Sequence, residues 1–167
     1  MSNNTAILLG ATGEVGGHLL QELVTNPNYR KIYVLERASI HILPNYQKIE
    51  KIIIDFDKPI VNPGILLGAD VFCAIGTGER QDFEKVDYGY AYGFAKLCAG
   101  KVRSFNLVSA MGANSKTRYQ YLQVKGRLEE DLLKLNLGTH RFYRPSMLIT
   151  PKREGLTLDE AIWIKIF

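Results

Sequence analysis

Tyr121 and Lys125 stand four residues apart in the segment YLQVK, the spacing that brings two side chains onto one helical face. A phenol with its ordinary pKa of about 10 is a poor acid or base at neutral pH. An ammonium beside it favours the phenolate and brings the group into working range for proton exchange. The neighbouring Tyr119 has Gln123 at that offset, and on a helix its side chain would point about 160° away from that of Tyr121. Ser109 ends an apolar run in LVSAMGA, where its hydroxyl could hydrogen-bond a carbonyl oxygen. A Tyr–Lys pair at this spacing arises often by chance, and a serine at a strand end is more often a turn former. A third feature in the right order along the chain gives the conjunction its weight.

That feature is LLGATGEVGG, in which Gly10, Gly13 and Gly16 are spaced three apart. It follows an apolar run and opens a helical pattern, the context a phosphate-binding turn requires. Gly10 permits the tight turn, Gly13 lets a pyrophosphate approach the backbone, and Gly16 lets the helix pack on the sheet. The helix start then offers unpaired N–H groups and the positive end of its dipole. At the end of the next apolar run, in VLERAS, an acid and a base are neighbours. Glu36 could accept hydrogen bonds from a free ribose 2′-OH, and Arg37 could pair with a 2′-phosphate. Asp55, ending the third strand, and Ile75, Gly76 and Thr77 after the fourth, fall where ligands of open α/β sheets gather. Asp55 as a turn cap and Gly76 as a plain loop glycine are the simpler readings.

The elements that must position these residues alternate along the chain. TAILLG, KIYVLER, KIIIDF, ADVFCAIG, RSFNLVSA and HRFYRPSMLI read as six strands. Their β-branched and large apolar residues run without polar alternation, as in a parallel sheet covered on both faces. EVGGHLLQELVTN places Val15, Leu19, Leu20 and Leu23 at helical spacing. Further helices are expected over roughly Phe83 to Ala99 and Thr117 to Leu135, and a surface loop over Ser39 to Gln47. Strand and helix in alternation predict an α/β fold, a doubly wound parallel sheet with right-handed crossovers.

Composition narrows the classes. The 167 residues, 46% of them hydrophobic, can bury one core, so a single domain over residues 1–167 is expected. A net charge of +4 is mild and its basic residues are interleaved with acidic ones, which argues for no nucleic-acid partner. The longest apolar stretch, GILLGADVFCAIG, is interrupted by glycines and an aspartate, so no membrane span is expected. AILLG is too short for a secretory signal, and the cytoplasm is the expected location. Cys73 and Cys98 read as core filler. His18, His41 and His140 are dispersed, and no metal is expected.

GATGEVGG, CAIGTGE, FNLVSAMGAN, YLQVKGRLEEDLLKL and FYRPSMLI together resemble the short-chain dehydrogenases/reductases, in particular an atypical branch, the Tat-interacting-protein type of oxidoreductase. The resemblance covers nearly the whole chain. It implies a Rossmann fold and a cytoplasmic NAD(P)-dependent oxidoreductase acting on a small carbonyl or alcohol substrate. Tyr121 would be its acid/base, Lys125 would contact the nicotinamide ribose, and Ser109 would complete the set. It implies cofactor contacts from Thr12, Gly13, Glu14, Val15 and Arg37, with Ile75 and Gly76 on the adenosine side and Leu148 near the nicotinamide. It tips the cofactor toward NADP, with NAD as the alternative. Two departures stand out: one base beside an acid at Glu36-Arg37 in place of paired bases, and a chain ending at Phe167 where relatives continue and wall the substrate pocket. The rival function is a dinucleotide-binding regulatory module without turnover. Substrate identity and oligomeric state are not legible.

Overall fold

The computed structural model of the chain describes residues 4–37, 47–77 and 82–146. The expected loop over Ser39 to Gln47 lies outside them save for its last member, as does Leu148. Six strands form one sheet: β1 (Asn4–Leu9), β2 (Tyr29–Glu36), β3 (Ile49–Ile53), β4 (Asp70–Cys73), β5 (Ser104–Val108) and β6 (Thr139–Tyr143). Their order is β3-β2-β1-β4-β5-β6, and every pairing is parallel. This is the expected doubly wound Rossmann sheet. The order reverses between β1 and β4, and it is there that such sheets open a crevice beyond their carboxyl ends.

The apolar runs are continuous because both faces of the central strands are covered. Ala6 and Leu8 of β1 join Ile32 and Val34 of β2 beneath Leu20 and Leu23 of helix α1 (Glu14–Thr25). Ile7 and Leu9 point the other way, into a larger core with Val71, Cys73, Phe105 and Leu107. That core is closed by Phe94, Ala95 and Cys98 of α2 (Ala91–Cys98) and by Leu128 and Leu132 of α3 (Gln120–Leu132). Cys73 and Cys98 are both free and fully buried. No helix among the described residues is long and apolar enough to cross a membrane.

Two helices differ from their expected form. The stretch expected as one helix from Phe83 is π-wound over Phe83–Tyr90 and becomes regular only in α2. Such wide turns have no signature in apolar spacing, and they gather at functional sites. Helix α3 starts at Gln120, not Thr117, because Asn114 organises a turn first: its side chain accepts from Lys116 N–H at 2.8 Å and its carbonyl from Thr117 N–H at 3.2 Å. Tyr119 therefore lies outside the helix with extended backbone and is 74% exposed.

At the opposite end of the sheet from the crevice, Asp70 gathers three donor residues, Tyr29 at the start of β2, Ser104 at the start of β5 and Arg103 just before it. Its carboxylate accepts from Tyr29 Oη at 2.8 Å, Ser104 Oγ at 2.7 Å and Arg103 Nε at 2.9 Å, and Arg103 Nη2 pairs with it as well. Burial, followed by this hydrogen bond to Asp70, pushes the Tyr29 phenol up to about 12. In Asp70→Asn, an ultraviolet titration should show one phenol ionising earlier than in the parent, a difference that vanishes in a Tyr29→Phe background.

Candidate functional site

At the switch point between β1 and β4 the carboxyl ends of four strands surround a cleft of about 170 Å3. Gly10, Ala11, Thr12 and Gly13 form one wall; Leu35, Glu36 and Arg37 the end of β2; Ala74, Ile75 and Gly76 the far wall. The turn itself explains its glycines. Gly10 has φ +83°, and a side-chain carbon there would lie 2.5 Å from the Ala74 carbonyl oxygen. Gly16 sits against the Gly10 carbonyl, where a Cβ would come within 1.9 Å. Gly13, which lines the cleft, is the N-cap of α1 and the helix start has no side-chain cap, so its first N–H groups are unpaired by side chains.

Most of the residues expected around a cofactor meet here. Gly10, Thr12, Gly13, Glu36, Arg37, Ile75 and Gly76 line the one cleft. Glu14, Val15 and Gly16 form the first turn of α1 just behind it. Thr77 serves differently: its backbone N–H donates to Asp87 Oδ2 at 3.1 Å. Asp55 does not line the cleft. It is exposed, and its Oδ1 accepts from Asp57 N–H at 2.9 Å. The strand ends at Ile53, two residues earlier than expected, so the chain turns before Asp55 and carries Phe56 into the lining instead.

Phe56 and Tyr90 were not anticipated. Their rings pack at 5.5 Å between centroids and both line the cleft beside Glu36. Tyr90 belongs to the DYGYAYGF stretch, which reads from sequence as packing or subunit contact; only the folded arrangement turns one of its rings inward. Glu36 is 6% exposed, and its Oε1 is buried without a hydrogen-bond partner among the described residues. Arg37 next to it is exposed.

The Tyr–Lys pair lies on the same side of the sheet. Lys125 Nζ is 5.7 Å from the centre of the Tyr121 ring, and Phe83 packs on that ring from the π-wound turn at 5.2 Å. Lys125 is buried and reaches the Val108 carbonyl at 3.4 Å, which places it beside the end of β5. Ser109, the next residue, is buried; its backbone N–H donates to the Tyr143 carbonyl at 2.7 Å, while its Oγ has no hydrogen-bond partner among the described residues. A carbon built on Gly76 would lie 4.0 Å from Lys125 Nζ. The cleft wall and the Tyr–Lys helix therefore touch.

Comparison with known proteins gives the lineage. No family profile matches the chain. Protein HTATIP2 of Rattus norvegicus is 32% identical over 162 residues, covering 93% of this chain and 67% of that protein. The chain belongs to the HTATIP2/FMP52 family. Protein FMP52-1, mitochondrial, of Scheffersomyces stipitis is 34% identical over 152 residues, covering 87% of the chain and 67% of its own length. Among solved structures, the PhqB reductase domain of Penicillium fellutanum superposes with a TM-score of 0.70 at 17% identity, over 98% of this chain and 54% of that one. The Bordetella bronchiseptica enzyme WbmF, solved in complex with NAD+, superposes at 0.65 with 12% identity, over 86% of this chain and 49% of its own. The chain thus spans about half the length of these solved proteins, and at such identities they share its fold. The HTATIP2/FMP52 members also correct one expectation. Several fungal FMP52 proteins carry the name mitochondrial, and the cytoplasmic placement, which rested on reading neither a secretory signal nor a membrane span, is withdrawn.

Proposed function

We propose that this member of the HTATIP2/FMP52 family is a nicotinamide-dinucleotide-dependent oxidoreductase acting on a small carbonyl or alcohol. The observation that carries the reading is the contact between the two halves of the site: a glycine-walled cleft at the switch point, with a Tyr–Lys pair directly against its far wall. The residues present suit the cofactor. An uncapped helix start would face a diphosphate, and Glu36 Oε1 and Ser109 Oγ are buried polar atoms without hydrogen-bond partners among the described residues.

The bound dinucleotide would supply or take up a hydride equivalent at its nicotinamide ring. The chain's own residues do the rest. The glycine turn would let the diphosphate approach, and the N–H groups of the first turn of α1 would hold it. Phe56 and Tyr90, which line the cleft beside Glu36, would flank the adenosine end. Ser109 Oγ donates a hydrogen bond to the substrate oxygen and orients it, and Tyr121 Oη delivers or removes the proton there. Lys125 supplies the positive charge beside that phenol.

The cofactor named by resemblance is NADP, but the buried Glu36 oxygen, which has no hydrogen-bond partner among the described residues, favours a free 2′-OH and so NAD(H). A 2′-phosphate beside that carboxylate would be repelled, while Arg37 remains in solvent. Fluorescence titration should give tighter binding of NADH than of NADPH by about tenfold. The reverse order would hand selectivity to Arg37. In a screen of aldehydes and ketones, Tyr121→Phe should lower turnover by about 100-fold or more with dinucleotide affinity retained. Full turnover in that variant would remove Tyr121 from the chemistry. Tight dinucleotide binding without turnover of any substrate would favour the regulatory module.

A further inference from the structure

Lys125 has a partner that the sequence does not announce. Asp87, on the π-wound turn, is paired with it at 2.9 Å between Oδ1 and Nζ; the side chains are 0% and 3% exposed. Two charges so deep in a protein persist only when each is compensated, and a buried pair of this kind adds little net stability over apolar replacements. Its position is more telling than its energy. The second carboxylate oxygen accepts from Thr77 N–H at 3.1 Å, and a carbon added to Gly76 would come 3.2 Å from Oδ1. Gly76 lines the cleft. The ion pair therefore lies one backbone thickness beneath the cleft wall, fastened to that wall on one side and to α3 on the other.

The surrounding contacts hold the two helices in one relative position. Arg127 of α3 donates to Glu84 Oε1 at 2.6 Å, and Tyr88 Oη donates to Asp131 at 2.6 Å. With Asp87–Lys125 these make three polar bridges between the π-wound turn and α3. Arg127 and Glu84 are part-exposed and Asp131 is near the surface, so only the middle bridge is sealed from water.

Resting on the dinucleotide reading above, we propose that Asp87 is the positioning residue for Lys125. It holds the ammonium under the cleft wall and ties it to the backbone of the loop after β4, so the lysine is in place before the dinucleotide arrives. A merely structural pair could be exchanged for neutral groups of similar shape without changing ligand affinity. A positioning pair could not.

The test is a double-mutant cycle read by dinucleotide binding, with NADH and NADPH as probes and no substrate needed. Asp87→Asn keeps the shape and removes the charge, and Lys125→Met removes the ammonium. Each should weaken the better-bound dinucleotide by about tenfold, and the double variant should be no weaker than either single, because both singles break the same device. The double variant carries no buried unpaired charge, so it reports even if a single variant fails to fold. Affinity of the double variant or of Asp87→Asn within about threefold of the parent, or losses that simply add, would overturn the proposal. A parent protein that binds neither probe would overturn the dinucleotide reading itself, an outcome distinct from a parent that binds and variants that bind equally well.

Discussion

Gly126→Ala is expected to destabilise the protein by about 3 kcal/mol or more, although the same change inside an open helix would stabilise it by about 1 kcal/mol. The sign reverses because α3 runs against the loop that follows β5. A methyl on residue 126 would come 2.3 Å from Ser115 N and 2.4 Å from the Asn114 carbonyl carbon, both backbone atoms. The loop is also bonded to the helix, with Asn114 N–H donating to the Leu122 carbonyl at 3.1 Å, so neither side can yield cheaply. Relief requires α3 to move away from the segment that begins at Ser109. The variant should therefore lose stability and shift α3 relative to that loop. Urea unfolding measures the first as a lower midpoint at unchanged slope. A midpoint shift worth less than about 1 kcal/mol would mean the loop repacks freely.

The second large effect is expected at Asp70, far from the site. Asp70→Ala strands the Tyr29 and Ser104 hydroxyls and frees Arg103, and should cost about 3 kcal/mol, with dinucleotide affinity unchanged. Arg103 is 46% exposed and recovers water, which keeps the loss below that of a sealed pair. Acid sensitivity follows from the same contacts. Burial works against the charged form of Asp70, but the hydrogen bonds from Arg103, Ser104 and Tyr29 outweigh it and hold the carboxyl below the usual range. A carboxyl with a lowered folded pKa stabilises fully above its unfolded value of about 3.9 and loses that contribution as pH falls through the folded value. Asp70→Asn should accordingly show a shallower loss of stability below pH of about 4 than the parent. Equal slopes would mean that other carboxylates carry the acid transition.

The strands were legible because central parallel strands must be apolar on both faces; TAILLG and ADVFCAIG could be little else. The glycine turn was legible because Gly10 answers a backbone requirement that no other residue meets as well. β6 was read too long: its observed strand stops at Tyr143, on an edge where exposed and half-buried residues alternate, and HRFYRPSMLI gives no apolar contrast to mark the stop. Tyr121 and Lys125 were visible together because helix geometry is local. Asp87 was not, since its partner lies in another helix and only the packed core brings the two face to face. The same holds for Phe56 and Tyr90, and for the donors around Asp70. Spacing reveals what one element does alone; it is silent on which side chains meet after the layers close.

The cleft's position has a consequence for how the chain acquires its shape. Its two walls belong to β1 and β4, neighbours in the sheet that pair Ala6 with Asp70 while β2 and β3 are made in between. A nascent chain emerging amino end first can assemble β1, α1, β2 and β3 by short-range steps. It then holds the glycine turn with nothing opposite it. The seam closes only when a distant strand slots in beside the first, a step slowed by the entropy of the long intervening loop. Ligand affinity should thus appear only after the fourth strand has been made, and vanish first when that central seam opens.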